Sequence, residues 1–176
     1  MKKRSVLFSI LAIMLVAATI LFTLLLWPCS YSDILGVDQD SVTHISAYAG
    51  IDILEDGQTV LQHYRMDSIP LSGEGSYEEV LGILNECRFR RNIRNLLPWI
   101  DDEYEYPTTN KDYDGNTLRL VYHLGSEQFY VAVDFYSSSL MMISENEFSD
   151  FLFYHPTNHE TLGKLIEFIH TYGIPS

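Results

Sequence analysis

The sequence predicts an α+β fold: an N-terminal transmembrane helix followed by one exported domain of order ββ-α-βββ(β)-α, its helices packed on an antiparallel sheet. Three observations carry this. Residues 6–27 form an uncharged, mostly aliphatic run. Several short segments alternate apolar and polar residues, and two others place apolar residues at helical spacing. The strand-like segments follow one another instead of alternating with helices, which argues against a parallel sheet.

The uncharged run comes first. As a helix, 22 residues reach roughly 33 Å, against about 30 Å of hydrocarbon in a bilayer. Ser9, Thr19 and Thr23 can return their hydroxyls to the helix backbone. A secretory signal has a shorter apolar region, about 7 to 15 residues. Cys29 stands where an acylated cysteine could stand, but Pro28 occupies the place that such a signal gives to a small residue; Ser30-Tyr31-Ser32 offers only a weak cleavage pattern. A retained anchor is expected, with Trp27 at headgroup depth and Pro28 ending the helix. Lys2, Lys3 and Arg4 lie on one side of the run, so residues 1–5 are expected in the cytoplasm and the remainder outside, making a single-pass protein of the cell membrane. Residues 28–40 read as a polar stalk and residues 41–176 as the exported domain.

Beyond the anchor, eight basic residues face 24 acidic ones, a net charge of about −16 against −13 for the whole chain. Such a surface repels nucleic acid and anionic lipid, and favours a basic protein, a sugar or a cation as partner. The aromatic content of 13%, including 12 Tyr, argues for a packed domain over disorder. Cys29 and Cys87 could pair outside a reducing compartment, but Cys87 shares a helix face with Val80 and Leu84 and reads as a core residue.

Within the domain, residues 42–54 and 59–66 flank Glu55-Asp56-Gly57-Gln58, and Asp-Gly between β-branched runs signals a hairpin. Ser76 and Glu79 form a capping-box pattern at the start of a helix carrying Val80, Leu81, Leu84 and Cys87. Residues 88–97 fit a helix or an extended segment. Then "TLRLVYHL", "QFYVAVDF" and "SLMMIS" read as a meander, with "FLFYH" as a fourth strand. Thr157 and Glu160 suggest a second capping box, before a helix striped by Leu162, Leu165, Ile166 and Ile169 and stopped by Gly173 and Pro175.

The chain has no Walker loop, nucleophile elbow, dinucleotide fingerprint, H-E-x-x-H or C-x-x-C. His155 and His159 are separated by Pro156 and do not share a helix turn as zinc ligands would. His44, His63 and His123 fall in expected strands and could meet on one sheet face. Asn110, Asp112 and Asp114, with Gly115, match the first half of a calcium loop, but Val121 stands where the bidentate Glu belongs. Calcium is therefore a weak candidate, and no other cofactor is implied. The long acidic segment contributes Asp101, Asp102, Glu103, Tyr104, Glu105, Tyr106 and Tyr113 as a candidate binding surface beside the basic Arg88, Arg90, Arg91 and Arg94. The expected function is a membrane-anchored, non-enzymatic interaction or sensing module. The alternative is an extracytoplasmic hydrolase using loop carboxylates and a strand His.

Overall fold

The computed structural model describes residues 2–92, 95, 115–125, 129–146 and 151–176. In chain order the elements are α1 (Lys2–Leu26), α2 (Tyr31–Leu35), a single 3-10 turn, β1 (Val42–Glu55), β2 (Gln58–Met66), α3 (Tyr77–Asn85), β3 (Phe89–Arg91), β4 (Thr117–Leu124), β5 (Phe129–Ser137), β6 (Leu140–Glu145), β7 (Phe151–Pro156), α4 (Glu160–Tyr172) and β8 (Ile174–Pro175). The strands form one sheet in the order β3-β7-β6-β5-β4-β1-β2-β8. Every neighbouring pair is antiparallel.

This architecture corrects the expected fold in two respects. The described residues form mostly an antiparallel sheet of eight strands with four helices, rather than ββ-α-βββ(β)-α. The missing elements, α2, β3 and β8, are five, three and two residues long. Such pieces are too short to show a period and are held by their neighbours, not by local propensity. The second correction concerns the transmembrane helix expected over residues 6–27. Residues 2–26 are helical, but among the described residues no helix is long and apolar enough to cross a membrane.

The β1–β2 hairpin forms as expected. Asp56 and Gly57 take φ of 50° and 80°, the two left-handed residues that let a two-residue turn follow the twist of its strands. Period-two alternation then sends Ile45, Ala47, Ala49 and Ile51 of β1 to one face, with Leu118, Leu120 and Tyr122 of β4 and Val131, Val133 and Phe135 of β5. On that face they meet Val80 and Leu84 of α3 and Leu162, Leu165, Phe168 and Ile169 of α4. Cys87 is fully buried in the same cluster, in line with its core reading.

Residues 28–40, expected as a stalk, also enter this core. Ser30 caps α2 and Asp33 bonds back to the Ser30 backbone, closing a capping box. Tyr31, Ile34 and Leu35 are buried. Cys29 and Phe89 exchange both backbone hydrogen bonds, at 2.9 and 3.0 Å, so the chain joins the sheet at β3 two residues after Trp27. The two capping boxes expected from sequence do not form. Ser76 is the N-cap of α3 without a side-chain bond, and its hydroxyl is buried without a partner. At α4 the Glu160 N–H is met by the Asn158 side chain, while the Thr157 hydroxyl accepts from Arg88 N–H.

Three tyrosines tie α2, α3 and β4 together. The Tyr31 and Tyr122 hydroxyls lie 2.7 Å apart, and Tyr77 donates to Tyr122 at 3.3 Å. Burial pushes the phenols of Tyr31 and Tyr122 well above their usual value and raises Tyr77 as well. The folded protein thus holds these protons more tightly than the unfolded chain. Their contribution to stability is complete below about pH 10 and is lost as pH rises above it. Replacing Tyr122 by Phe strands two buried hydroxyls and should lower stability by roughly 1 to 3 kcal/mol in denaturant melts. In an ultraviolet pH titration of the wild type, a late group of phenols should ionise together with the loss of circular dichroism. A titration in which every tyrosine ionises smoothly while the fold persists would contradict this account.

Candidate binding cleft

The face of the sheet opposite α3 and α4 carries the polar chemistry. On β1 the alternation that buries Ala47, Ala49 and Ile51 presents Tyr48, Gly50 and Asp52 to this second face. Register places Tyr48 beside Arg65 and Arg119, Gly50 beside His63 and Thr117, and Arg119 beside Asp134. Tyr48, Gly50, His63, Thr117, Arg119, Asp134 and Tyr136 are among the residues lining an open cleft of about 470 Å³. Gly50 forms the floor. A Cβ there would lie 3.0 Å from Thr117 Oγ1 and 3.3 Å from Leu61 Cδ1, so even an alanine would occupy space that the cleft now leaves open.

Arg119 and Asp134 form the electrostatic centre. Nε donates to Oδ1 at 2.6 Å and Nη2 to Oδ2 at 3.1 Å, a planar two-point pair. The Asp134 side chain is 9% exposed and that of Arg119 is 52% exposed. The hydrogen bonds that Arg119 donates to Asp134 raise its pKa above the ordinary value, against the opposing effect of burial. The carboxylate is therefore satisfied from below water level by a guanidinium whose outer edge remains at the surface.

The three strand histidines divide. His44 and His123 are cross-strand neighbours, with stacked rings 3.8 Å apart and 9° from parallel. Ser46 Oγ sits 3.2 Å from His123 Nε2. His63, opposite Gly50, lies six positions along β1 from the His44 level, about 20 Å at strand rise. His155 and His159 turn their Nδ1 atoms to the carbonyls of Ser139 and Ser138. Among the described residues no three His, Cys, Asp or Glu side chains come together as metal ligands.

The acidic binding surface, Asp101, Asp102, Glu103, Tyr104, Glu105, Tyr106 and Tyr113, lies outside the described residues, as do Asn110, Asp112 and Asp114. The cleft residues were not among the sequence candidates. One signal for them existed: Asp134 is a lone acid inside an apolar strand, and a charge in that position requires a partner. Arg119 is the matching lone base inside "TLRLVYHL". Pairing them needed the β4–β5 register. No family model matches the chain, and no curated protein or solved structure is significantly similar to it.

The unequal exposure of the pair sets an asymmetry. Arg119→Ala leaves a nearly buried carboxylate without its partner and should lower stability by roughly 1 to 3 kcal/mol, after allowance for solvent screening on the half-exposed side. Asp134→Asn leaves a guanidinium that still reaches water, so it should cost clearly less. Urea melts of both variants check this, and equal losses would mean that the pair is not organised as described.

Proposed function

We propose that this chain is a non-catalytic binding module held at a membrane through residues 6–27, whose cleft takes a neutral polyhydroxylated ligand of the sugar class. The cleft is the observation that carries the reading. A planar Arg119–Asp134 pair offers fixed donors and acceptors side by side, Thr117 and His63 add polar groups, and Tyr48, 45% exposed, provides a ring face for stacking. Sugars need this mixture of planar polar groups and an aromatic face. The acidic charge of the domain favours a neutral ligand over an anion.

Catalysis fits less well than binding. Among the described residues Asp134 is the one carboxylate side chain that lines the cleft, and Arg119 occupies both of its oxygens. Glycoside hydrolysis ordinarily needs two carboxyl groups flanking the bond.

Membrane association rests on α1. Its apolar side chains are exposed on all sides, among them Phe8, Leu11, Ile13, Leu15 and Phe22. A helix that is apolar all round needs an apolar surrounding. The basic Lys2, Lys3 and Arg4 at its start suit the anionic surface of a bilayer.

Two experiments test these halves separately. The full chain should float with vesicles of phosphatidylcholine and phosphatidylglycerol, and Leu11→Arg with Leu15→Arg should reduce the floating fraction several-fold; wild-type chain left unbound in solution would end the membrane reading. For the cleft, nuclear magnetic resonance of the full chain in mild detergent should show shifts at His63 and Thr117 with some member of a millimolar monosaccharide panel. Gly50→Ala should abolish them. Shifts absent for every sugar, or unchanged in Gly50→Ala, would remove the cleft as the site.

A further inference from the structure

The β1–β2 hairpin outruns the sheet that carries it. β4 pairs with β1 only as far as Gly50, while β1 and β2 continue to pair out to Glu55 and Gln58. On the other side β8 covers β2 only at Tyr64 and Arg65. Ser176 N–H then donates to the His63 carbonyl at 3.0 Å. This bond fixes which backbone groups of β2 point away from β1. His63 faces outward, so by the two-residue alternation of a strand Leu61 and Thr59 also direct their N–H and C=O outward. Among the described residues nothing pairs with that edge.

The edge is open and also lacks the usual protection. Gln58-Thr59-Val60-Leu61-Gln62 contains no charge, no proline and no glycine, and Val60 and Leu61 are exposed, as is Leu54 across the hairpin. Exposed strand edges are normally blunted by charge, proline or a bulge, since they otherwise recruit another strand.

We propose that this edge pairs with the same edge of a second copy of the chain, antiparallel, with Val60 opposite Val60 on a two-fold axis and Thr59 opposite Leu61. Three features select this occupant and this register. The outward groups of Thr59 and Leu61 satisfy each other in both directions in that register, giving four hydrogen bonds and leaving no outward group of residues 58–62 unmet. Side chains match by face: Leu54, Thr59 and Leu61 of the second copy form one row, and Ile53, Val60 and their copies form the other. Charge also favours it, because two chains of net charge −13 repel everywhere except at an uncharged stretch. β8 ends the pairing at His63, so the contact is short and closed, as a two-fold interface requires.

The test uses the full chain in a mild non-ionic detergent. Sedimentation should give a dimer. Thr59→Pro, which removes an outward N–H and no bond to β1, should give a monomer with unchanged circular dichroism and melting. In a Cys29→Ser background, Val60→Cys should form a disulfide-linked dimer on mild oxidation, since symmetric residues at a non-hydrogen-bonded antiparallel position lie close enough to bridge. Gln58→Cys, four strand positions from its copy, should not. A wild-type monomer at the highest soluble concentration would overturn the proposal, as would a dimer that survives Thr59→Pro or equal crosslinking at residues 58 and 60.

Discussion

The packing of one sheet face against α2, α3 and α4 is the constraint on which the rest of the structure depends. Helices α2, α3 and α4 all contribute side chains to a single cluster, and that cluster fixes the orientation of every central strand. Once Ala47, Leu120 and Val133 must face the helices, Tyr48, Arg119 and Asp134 must face the other way, because neighbours along a strand alternate. A slip of one residue would bury Arg119 under the helices, at a cost of several kcal/mol for a charge without a partner. The cleft is thus a consequence of core register. The tyrosine trio reinforces that register by linking α2 and α3 to β4 through directional bonds.

Unequal strand lengths supply the second level of organisation. β1 has 14 residues, while β4 has eight. Where β4 stops, at Thr117 opposite Gly50, the second face loses a strand and gains an edge. The cleft lies at this step, and the small residue opposite Thr117 keeps its floor low. Beyond the step β1 and β2 continue to pair with each other, and Asn116 meets β1 only through its side chain, accepting from Asp52 N–H.

How much of this was legible in the sequence depended on whether the information was local. The Asp-Gly turn, the three meander strands and the α4 stripe are written in consecutive residues, and they appear where expected. The short α2, β3 and β8 are not, since each is stabilised by partners far along the chain, such as Phe89 for Cys29. The capping boxes show the opposite failure. Ser76 with Glu79 and Thr157 with Glu160 have the right spacing, but tertiary packing buries the Ser76 hydroxyl and engages Thr157 with Arg88. The site was the least legible part. Loop length and charge drew attention to residues 101–114, whereas Arg119 and Asp134 are separated in sequence by 15 positions and become neighbours only through the β4–β5 register.

Charge joins the two surfaces. The chain carries 24 acidic against 11 basic residues, so long-range forces repel anions and other copies of the chain alike, over about one Debye length at physiological salt. Attraction must therefore come from short-range contacts, at places where the acidic field is interrupted. The proposed Arg119–Asp134 site would be one such place, since its two charges pair with each other and would leave hydrogen-bonding geometry to discriminate between ligands. The uncharged edge of β2 is another. The two meet at β2, where His63 lines the cleft and accepts from Ser176 at the point where β8 closes the edge. A strand pairing at residues 58–62 would stiffen β2 next to His63, and any ligand that orders His63 from within the cleft would in turn steady the edge. If both proposed surfaces are occupied, they share β2, and any coupling between them would be reciprocal.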